Sequence, residues 1–516
     1  MENTGYLKCF LLFCLFILLA GCTLPSIENR DASSALGEAE ARATLLGKAI
    51  APLAAEHPGK SGIYPLQHPH DAFAARMLLA KTAERTLDIQ YYIWRRDISG
   101  TLLLKSLYEA AERGVRVRLL LDDIGTSGLD EELAALDSHP KIEVRLFNPF
   151  VVRYPKWLGF LTNFSRANRR MHNKSFTADN QATIAGGRNV GDAYFWAAEG
   201  LLFADLDVLC VGPVVDDVST DFDRYWASDS SYPVGLILPP PEQDLRDHFS
   251  PLSLRLENDP AAESFMNAMG RSSFLHDLLE GSLAFEWAKT RMVSDDPAKG
   301  LGKADADGLL THQLEEIIGL PDQDVALISP YFIPTAAGVD AFRKMTDRGV
   351  SVRIFTNSLD ATDVLIAHAG YAKRRKEILK TGITLYEMRR VLPKAERTKG
   401  VGFFGSSASS LHAKTFAADC ERVFVGSFNF DPRSAHLNTE MGLVIDSPSL
   451  ARRIDRAFDE TIPERSYEVR LNEDGHIYWL EQRGDRQIRH EREPNTGFWK
   501  RSAVYLLSLL PIEWLL

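Results

Sequence analysis

The sequence predicts an α/β protein made of two tandem repeats, each a mostly parallel β-sheet flanked by helices. The chain has 516 residues, more than a single hydrophobic core usually organises. Apolar strands and amphipathic helices alternate in both halves, as is typical of parallel sheets. Matching segments also recur at a nearly constant separation: Arg113 and Arg348 are 235 positions apart, and His172 and His412 are 240 positions apart. Such a constant separation over several elements indicates an internal duplication.

The first half begins with apolar residues at helical spacing and continues as strand, helix, strand and strand. The predicted elements are a helix over 71–86, a strand over 87–94, a helix over 101–114 that ends at Gly114, and strands over 115–123 and 142–147. The second half repeats this order. DVALISPYFI, AFRKMTDRGVSVRIFTNS and GITLYEM match the first-half strand LDIQYYIW, the helix and strand around Gly114, and KIEVRLF.

These matches divide the chain into a first repeat (61–230), an inter-repeat segment (231–310), a second repeat (311–470) and a C-terminal extension (471–516). The inter-repeat segment is rich in Pro, Asp and Ser, and its pattern does not indicate a function. The extension ends in the apolar stretch FWKRSAVYLLSLLPIEWLL. This stretch either lies on a membrane as an interfacial helix or packs on the protein core, and the sequence leaves both alternatives open.

The N-terminus is typical of an export signal. Residues 1–21 contain the apolar run 9–20, which is too short to cross a bilayer comfortably. The sequence Leu-Ala-Gly-Cys that ends at Cys22 resembles a bacterial lipobox, which implies cleavage and acylation of Cys22. Residues 22–60 would then form a lipid-anchored tether and helix. The implied location is the cell envelope, facing the periplasm, and Thr23 after the cysteine favours the outer membrane; an uncleaved anchor is the alternative.

Composition excludes some classes of function. The chain is 45% hydrophobic and 25% charged, as expected for a globular protein. A net charge of −11 argues against nucleic acid as a partner, because broad binding to phosphate backbones requires positive charge. After removal of the signal, Cys210 and Cys420 remain besides Cys22. They either pair or serve as small buried residues.

The motif H-x-K-x4-D occurs twice and supplies the candidate catalytic residues. The two copies are His172, Lys174 and Asp179, and His412, Lys414 and Asp419; glycine turns with Asn189, and with Ser427 and Asn429, follow them. In a strand, residues i and i+2 face the same side, so each imidazole lies beside an ammonium group, which suits an anionic substrate. No metal is expected, because lysine is a poor ligand and no His-x-His or cysteine cluster accompanies the motif.

Two such motifs in a tandem α/β repeat resemble the phospholipase D superfamily. Within it, the chain is similar to the C-type bacterial cardiolipin synthases through QYYIW, NRRMHNKSF, SDDPAKG, GSFNFDPRS, LNTEMG and the terminal PIEWLL. The resemblance implies a cofactor-free transphosphatidylase that moves a phosphatidyl group from phosphatidylethanolamine to phosphatidylglycerol through a phosphohistidine. Its partners would be phospholipids and a membrane. Protein partners are not predicted.

The resemblance also implies roles for the residues. His172 would be the nucleophile and His412 the acid, while Lys174, Lys414, Asn189, Asn429 and Ser427 would bind phosphate oxygens. Glu440 and Asp205 occupy matching positions, and each would orient the histidine of the opposite repeat; Asp207 is the alternative to Asp205. Asp179 and Asp419 are included among the catalytic candidates, although we expect them to fix the turn after each strand. Gly187 stands where the family commonly has Ser, and because Asn189 remains we expect no loss of activity.

Three other functions use the same residues or the same fold. A phospholipase D would pass the phosphatidyl group to water and release phosphatidic acid, with the same two histidines. A nuclease of the superfamily is disfavoured by the acidic composition. A lipid-binding protein without catalytic activity is disfavoured because both motifs are intact.

Overall fold

The computed structural model describes residues 24–28, 30–197, 203–242, 258–270, 274, 277, 282–390, 410–511 and 513–516. The predicted signal peptide and the predicted acylation site Cys22 lie outside the described residues. Among the helices of the described part, none is both long enough and apolar enough to cross a membrane. Cys210 and Cys420 are free thiols, so they do not form a disulfide.

The strands of the first repeat and of the inter-repeat segment are β1 Ser61–Leu66, β2 Thr86–Tyr91, β3 Arg116–Asp122, β4 Ile142–Phe147, β5 Ser175–Ala178, β6 Ala182–Gly186, β7 Phe203–Ala204, β8 Asp207–Val211, β9 Ser231–Pro233 and β10 Glu286–Ser294. Those that follow are β11 Asp324–Ile328, β12 Ser351–Asn357, β13 Thr384–Met388, β14 Ser410–Leu411, β15 Thr415–Ala418, β16 Arg422–Gly426, β17 Met441–Asp446, β18 Ser466–Leu471, β19 Ile477–Arg483 and β20 Arg486–His490.

The α-helices are Glu38–Arg42, Leu45–Ala55, Pro69–Thr82, Ile98–Glu112, Asp130–Asp137, Gly159–Thr162, Phe164–Ala167, Asp192–Phe195, Val214–Trp226, Pro260–Gly270, Leu310–Ile318, Ala336–Asp347, Leu365–Leu379, Pro432–His436, Pro448–Arg456, Ile462–Arg465 and Phe498–Ser508. The helix Ile98–Glu112 shows how the sequence sets the limits of such an element. The Asp97 side chain caps its start by accepting a hydrogen bond from the Gly100 amide. Gly114, with φ of 96°, allows the chain to turn after its end, as predicted.

Each repeat is built on three parallel strands, β2–β3–β4 in the first and β11–β12–β13 in the second. The next strands are antiparallel: β5 pairs with β2 and β6, and β15 pairs with β11 and β16. The predicted tandem α/β repeats are confirmed. The expectation of a mostly parallel sheet is corrected, because parallel pairing within the large sheet is confined to these three strands of each repeat. The sheet of each repeat is mixed.

A hairpin turn at matching positions makes β5 antiparallel to β6 and β15 antiparallel to β16. Asp179 and Asn180 have φ of 50° and 53°, and Asp419 and Cys420 have φ of 54° and 51°. Left-handed residues in a short loop reverse the chain between neighbouring strands, and Asp and Asn tolerate that conformation better than most residues. Each H-x-K strand therefore returns at once along its neighbour.

Strand β10, from the inter-repeat segment, joins the two sheets. It pairs antiparallel with β1 at one end and with β17 at the other. The result is one continuous sheet of 18 strands. The C-terminal extension adds β19 and β20 to the edge of the second repeat beyond β18.

Buried side chains from both repeats form a shared core between the strands of the first repeat and those of the second. Ile63, Leu206 and Val208 of the first repeat pack in one cluster with Leu411 and Val425 of the second. Separate clusters fill each repeat on its helical side. Because apolar burial contributes about 25 cal/mol per Å², this shared core fixes the two repeats against each other and holds the two motifs together.

Candidate active site

The two histidine motifs meet where the repeats cross, and backbone hydrogen bonds hold them there. The His172 amide donates to the Thr439 carbonyl at 2.8 Å, and the His412 amide donates to the Ala204 carbonyl at 2.7 Å. Each histidine is thus fixed by a backbone group of the opposite repeat. The short pair β7–β14 extends this contact on the His412 side.

The next residue along each of those segments is the acid that holds the imidazole. Nδ1 of His172 lies 2.8 Å from Oε2 of Glu440, and Nδ1 of His412 lies 2.5 Å from Oδ2 of Asp205. The carboxylates therefore engage Nδ1 in both rings, and Nε2 is the nitrogen left for chemistry. The structure brings together the four residues that the sequence paired across the repeats.

Aromatic rings enclose both imidazoles. The His172 ring makes an edge contact with Tyr92 at a centroid distance of 4.8 Å. The His412 ring contacts Tyr194 at 5.1 Å and Phe203 at 5.0 Å. These contacts keep both histidines more than nine-tenths buried, so their orientation is set before any ligand binds.

Both motif lysines are buried behind the imidazoles. Nζ of Lys174 and of Lys414 each donates to the backbone carbonyl of the histidine two positions before it. Lys414 Nζ also lies 2.9 Å from Nδ1 and 3.2 Å from Nε2 of His412. Two ammonium groups in a desolvated site make it strongly attractive to an anion such as a phosphodiester.

Burial and the lysine charges set the ionisation of the site. Burial, together with the charges of Lys174 and Lys414, holds the pKa of His172 well below its usual range, and burial with the charge of Lys414 lowers that of His412 to about 4. Burial also lowers the pKa of Lys174 to about 7 and that of Lys414 to about 8. Both imidazoles are therefore neutral near pH 7 in the free protein, the form required for nucleophilic attack.

The two acids differ in their surroundings. Burial raises the pKa of Glu440 to about 7, although Lys174 and a hydrogen bond from Ser427 oppose the rise. The pKa of Asp205 falls to about 2; burial raises it, but the charge of His412 and its hydrogen bond outweigh that effect. Asp205 therefore remains anionic through the neutral range, whereas Glu440 is close to its midpoint.

Ser427 serves Glu440. Its hydroxyl donates to Glu440 Oε2 at 2.5 Å and accepts from the Met441 amide at 3.0 Å. In the structure the Ser427 hydroxyl engages the acid behind His172, and its predicted contact with phosphate stays a prediction. We assign it to positioning Glu440.

Gly187 occupies the equivalent turn of the first repeat, and the structure explains the absence of a side chain. A Cβ at position 187 would lie 2.1 Å from Oδ1 of Asp205. Asp205 is shorter than Glu440, so its carboxylate lies close to the turn backbone, in the space that a serine would need. Gly187 with Asp205, and Ser427 with Glu440, are thus two matched solutions to the same geometry.

The two turn asparagines are placed differently. Asn189 lines the cleft in front of the histidines, its Oδ1 accepting from the Ile93 amide at 3.1 Å and its Nδ2 donating to the Tyr194 hydroxyl at 3.1 Å. One Nδ2 hydrogen remains for a ligand. Asn429 is buried, and its Oδ1 finds no partner among the described residues.

The remaining acidic candidates are structural. Asp207 forms an ion pair with Arg76 at 2.8 Å, so it is not the partner of His412. Asp179 accepts hydrogen bonds from the backbone amides of residues 84, 85 and 86, and Asp419 from those of residues 322, 323 and 324. Each motif Asp therefore fixes the start of the neighbouring parallel strand. These contacts are the ones expected of residues that fix the turn after each strand, and a part for them in catalysis stays a prediction.

The SDDPAKG loop braces Glu440 from behind. Asp295 Oδ2 accepts from the Glu440 amide at 2.8 Å and from Lys299 Nζ at 2.8 Å, and Lys299 also donates to the Ser434 carbonyl at 2.8 Å. Asp295 and Lys299 are both buried. From the sequence, the SDDPAKG motif indicated only the family resemblance, and its contact with Glu440 was not predicted. The sequence signal that marks it is an Asp and a Lys four residues apart, beside a small loop that ends at a glycine.

Both histidines line one cleft of about 1040 Å³. The first repeat contributes Tyr92, Arg95 and Tyr194, and the second contributes Tyr331, Asp363 and Arg433. Tyr331 donates a hydrogen bond to the Asp363 carboxylate at 3.0 Å. These cleft residues were not predicted, because single tyrosines, arginines and acids carry no spacing pattern in the sequence. A large cleft with mixed apolar and charged walls fits an amphiphile with an anionic group.

The fold and the site together define a phosphodiester-processing enzyme of the phospholipase D type. A model of the cardiolipin synthase, phospholipase D-like domain matches residues 78–226 and 314–462. The chain is 51% identical to cardiolipin synthase C of Escherichia coli strain K12 over 471 residues, which is 91% of this chain and 99% of that protein. The chain belongs to the phospholipase D-like cardiolipin synthase family, and it is a phosphatidyltransferase of that superfamily.

More distant relatives agree with this assignment. Cardiolipin synthase 1 of Staphylococcus aureus strain COL is 26% identical over 384 residues, which cover 74% of this chain and 63% of that protein. The crystal structure of phosphatidylserine synthase from Haemophilus influenzae superposes with a TM-score of 0.55 at 12% identity, covering 91% of this chain and all of that one. At that identity the likeness shows the shared fold.

Proposed function

We propose that the protein synthesises cardiolipin by transferring a phosphatidyl group from phosphatidylethanolamine to phosphatidylglycerol, with a phosphohistidine intermediate on His172. The observation that carries the proposal is the crossed pair of held histidines. Glu440 and Asp205 engage Nδ1 of the two rings, which leaves both Nε2 atoms for chemistry at one cleft, that of His412 with Lys414 Nζ at 3.2 Å. A double displacement at phosphorus needs such a pair, one imidazole to attack and the other to handle the proton.

In the first step, neutral His172 attacks phosphorus through Nε2, and the bond from phosphorus to the ethanolamine oxygen breaks. His412 donates its Nε2 proton to that oxygen, and ethanolamine leaves. In the empty site, burial and the lysine charges keep the pKa of His412 at about 4. A bound phosphodiester offsets those charges and raises this pKa, so substrate binding itself prepares the acid. Asp205 stabilises the resulting imidazolium.

In the second step, neutral His412 removes the proton from a glycerol hydroxyl of phosphatidylglycerol. The oxygen attacks phosphorus, the bond from phosphorus to His172 Nε2 breaks, and cardiolipin is released. Lys174, Lys414 and Asn189 stabilise the charge on the non-bridging oxygens in both steps. The chemistry uses only groups of the chain.

Incubation of the purified protein with the two defined lipids tests this proposal. We expect cardiolipin and ethanolamine in equal amounts, and phosphatidic acid as the sole product would show a hydrolase instead. His172→Ala should abolish turnover, since it removes the proposed nucleophile and leaves His412 without a partner imidazole. His312→Ala, which alters an exposed histidine on the helix Leu310–Ile318, is the matched control and should remain active.

We further propose that residues 1–21 are removed and that acylated Cys22 tethers the enzyme to the outer membrane, facing the periplasm. The support is the sequence alone, LAGC followed by Thr23. Metabolic labelling with a radioactive fatty acid tests this: Cys22→Ala should abolish the label. The domain limits 61–230, 231–310, 311–470 and 471–516 are likewise proposed from the sequence, on the matching segments of the two repeats.

A further inference from the structure

The helix Phe498–Ser508 has one apolar face against the protein and another in solvent. Val504 is buried in a cluster with Leu359 and Ala369, and Leu507 packs against it. Lys500 adds a hydrogen bond from Nζ to the Leu359 carbonyl at 2.6 Å. The C-terminal stretch therefore does pack on the core, one of the two alternatives that the sequence left open.

The opposite face of this helix is exposed and strongly apolar. Trp499 is 82% exposed, Leu506 is 64% exposed and Leu509 is 63% exposed. Phe498, Tyr505 and Leu510 extend the same stripe, and Trp514 continues it beyond the helix. Large apolar side chains scattered singly on a surface are ordinary, but a contiguous stripe marks an interaction site.

A second segment, residues 154–164 of the first repeat, has the same character. Tyr154 is 93% exposed, Leu161 is 76% exposed and Trp157 is 62% exposed. The segment is anchored from below by Lys156, whose Nζ donates to the Asp123 carboxylate at 2.9 Å. Its apolar side chains are thus presented to solvent by a loop that is held in place.

Both segments border the cleft that contains the histidines. Phe164 of the segment 154–164 lines that cleft, and so do Leu515 and Leu516, which follow the helix Phe498–Ser508. Arg433 joins them: its guanidinium donates to the Asn168 carbonyl at 3.0 Å, and its backbone amide donates to the Leu516 carbonyl at 2.6 Å. The two apolar segments are more than 300 residues apart in the sequence, and both reach the same cleft.

We propose that the exposed apolar side chains of residues 154–164 and 498–510, with Trp514, form one docking surface for a phospholipid bilayer, which places the cleft opening against the lipid. The reason for this occupant is continuity: the apolar surface runs into a cleft whose inner end holds two ammonium groups and two imidazoles. A phospholipid has the same order of properties, with apolar chains followed by an anionic phosphate. Exposed Trp and Tyr beside Leu are the residues preferred at the boundary between headgroups and acyl chains.

The proposal rests on the proposed function for the lipid inside the cleft, so its test measures binding separately from turnover. Leu161→Ser, Leu506→Ser and the double variant remove one apolar side chain from each segment. Leu320→Ser is the matched control, because Leu320 is 68% exposed but follows the helix Leu310–Ile318 and does not line the cleft. None of these residues belongs to the catalytic machinery.

Flotation with vesicles of phosphatidylethanolamine and phosphatidylglycerol gives the first readout, using the chain that begins at residue 24 so that no acyl anchor contributes. We expect each single variant to bind roughly 10- to 150-fold more weakly, since it loses the favourable burial of one leucine side chain, and the double variant more weakly still. Turnover of vesicle lipid should fall in parallel, while turnover of a monomeric short-chain phosphodiester stays within about twofold. The Leu320→Ser control should behave as the unaltered chain does.

Vesicle binding that is unchanged in the double variant would overturn the docking surface. Size-exclusion chromatography separates the other occupant: a double variant that binds vesicles normally but changes from dimer to monomer would show an interface between copies of the chain. If the unaltered chain binds vesicles through these leucines but turns over no lipid, the docking surface stands and the proposed function fails.

Discussion

Gly187→Ser is the substitution that most directly tests the crossed arrangement of acids and histidines. The added Cβ would lie 2.1 Å from Asp205 Oδ1, and ordinary contact begins at 3.4 Å. The carboxylate or the turn must therefore move by about 1.3 Å, the difference between those two distances. The hydrogen bond that Asp205 Oδ2 accepts from His412 Nδ1 is 2.5 Å long, too short to absorb that movement.

The expected effect follows from the loss of this one contact. A hydrogen bond to a charged group contributes roughly 1.5–3 kcal/mol. Because about 1.36 kcal/mol corresponds to a tenfold change in rate, we expect kcat to fall about 10- to 150-fold. The fold should survive, since the turn is at the cleft and the shared core does not depend on it.

The assay compares two leaving groups. In the proposed mechanism His412 donates the proton to the departing alkoxide. Protonated His412 is therefore needed for ethanolamine to leave but hardly for p-nitrophenol, whose anion leaves unaided. Gly187→Ser should therefore slow transfer from phosphatidylethanolamine much more than transfer from a p-nitrophenyl phosphodiester. Adding Asp205→Glu should restore much of the loss, because it rebuilds in the first repeat the Ser427–Glu440 arrangement of the second.

Equal losses with both leaving groups would mean that the substitution damages the site generally. A double variant no better than Gly187→Ser would show that Gly187 and Asp205 are not coupled, and the explanation from their contact would be wrong. The four rates form a double-mutant cycle, in which the coupling is read directly.

Three further predictions concern other contacts of the site. Because burial raises the pKa of Glu440 to about 7, kcat/KM should fall as the pH drops below 7 and this carboxylate takes up a proton. Glu440→Gln should be slower, and its kcat/KM should no longer fall with a pKa near 7. A fall that persists in Glu440→Gln would mean that another group titrates. Lys299→Met leaves the Asp295 carboxylate buried without its cation, so the free energy of unfolding measured in urea should fall by about 3–5 kcal/mol. Lys303→Met, at an exposed position, is the control. An unchanged midpoint in Lys299→Met would refute the support of Glu440 by this ion pair. Asp179→Ala removes the acceptor of three backbone amides, so the free energy of unfolding should fall by about 2–4 kcal/mol, seen as a lower melting temperature. The kcat of the folded variant should stay within about fivefold of the unaltered enzyme. A loss of kcat as large as that of His172→Ala would show that Asp179 takes part in catalysis.

The repeat and its motif were predictable because they depend on local pattern and on distance along the chain. The pairing of His172 with Glu440 came from the resemblance, and the structure brings those side chains together at 2.8 Å. Strand direction was predicted less well, because a short strand that is buried along its whole length, such as β5, does not indicate whether its neighbours run parallel or antiparallel. The turn at Asp179 and Asn180 was the available signal, since both residues favour the left-handed conformation.

Contacts of the inter-repeat segment could not be predicted from the sequence. Strand β10 pairs with β1 and β17, whose edges become available only after both repeats have folded. Nothing in the local sequence of β10 specifies which edges it will meet. The same holds for Asp295, whose carboxylate meets the Glu440 amide across 145 residues of sequence. Such contacts depend on the assembled tertiary structure.

The exchange of acids between the repeats also has a consequence for synthesis and export. His172 emerges from the ribosome 268 residues before Glu440, the residue that holds its ring. Until the second repeat has been made, delivered and folded, the nucleophile has no oriented Nε2, and His412 does not yet exist. A truncated chain therefore carries an intact H-x-K-x4-D motif without the means to attack a lipid. Incomplete copies of the chain are therefore expected to lack transferase activity.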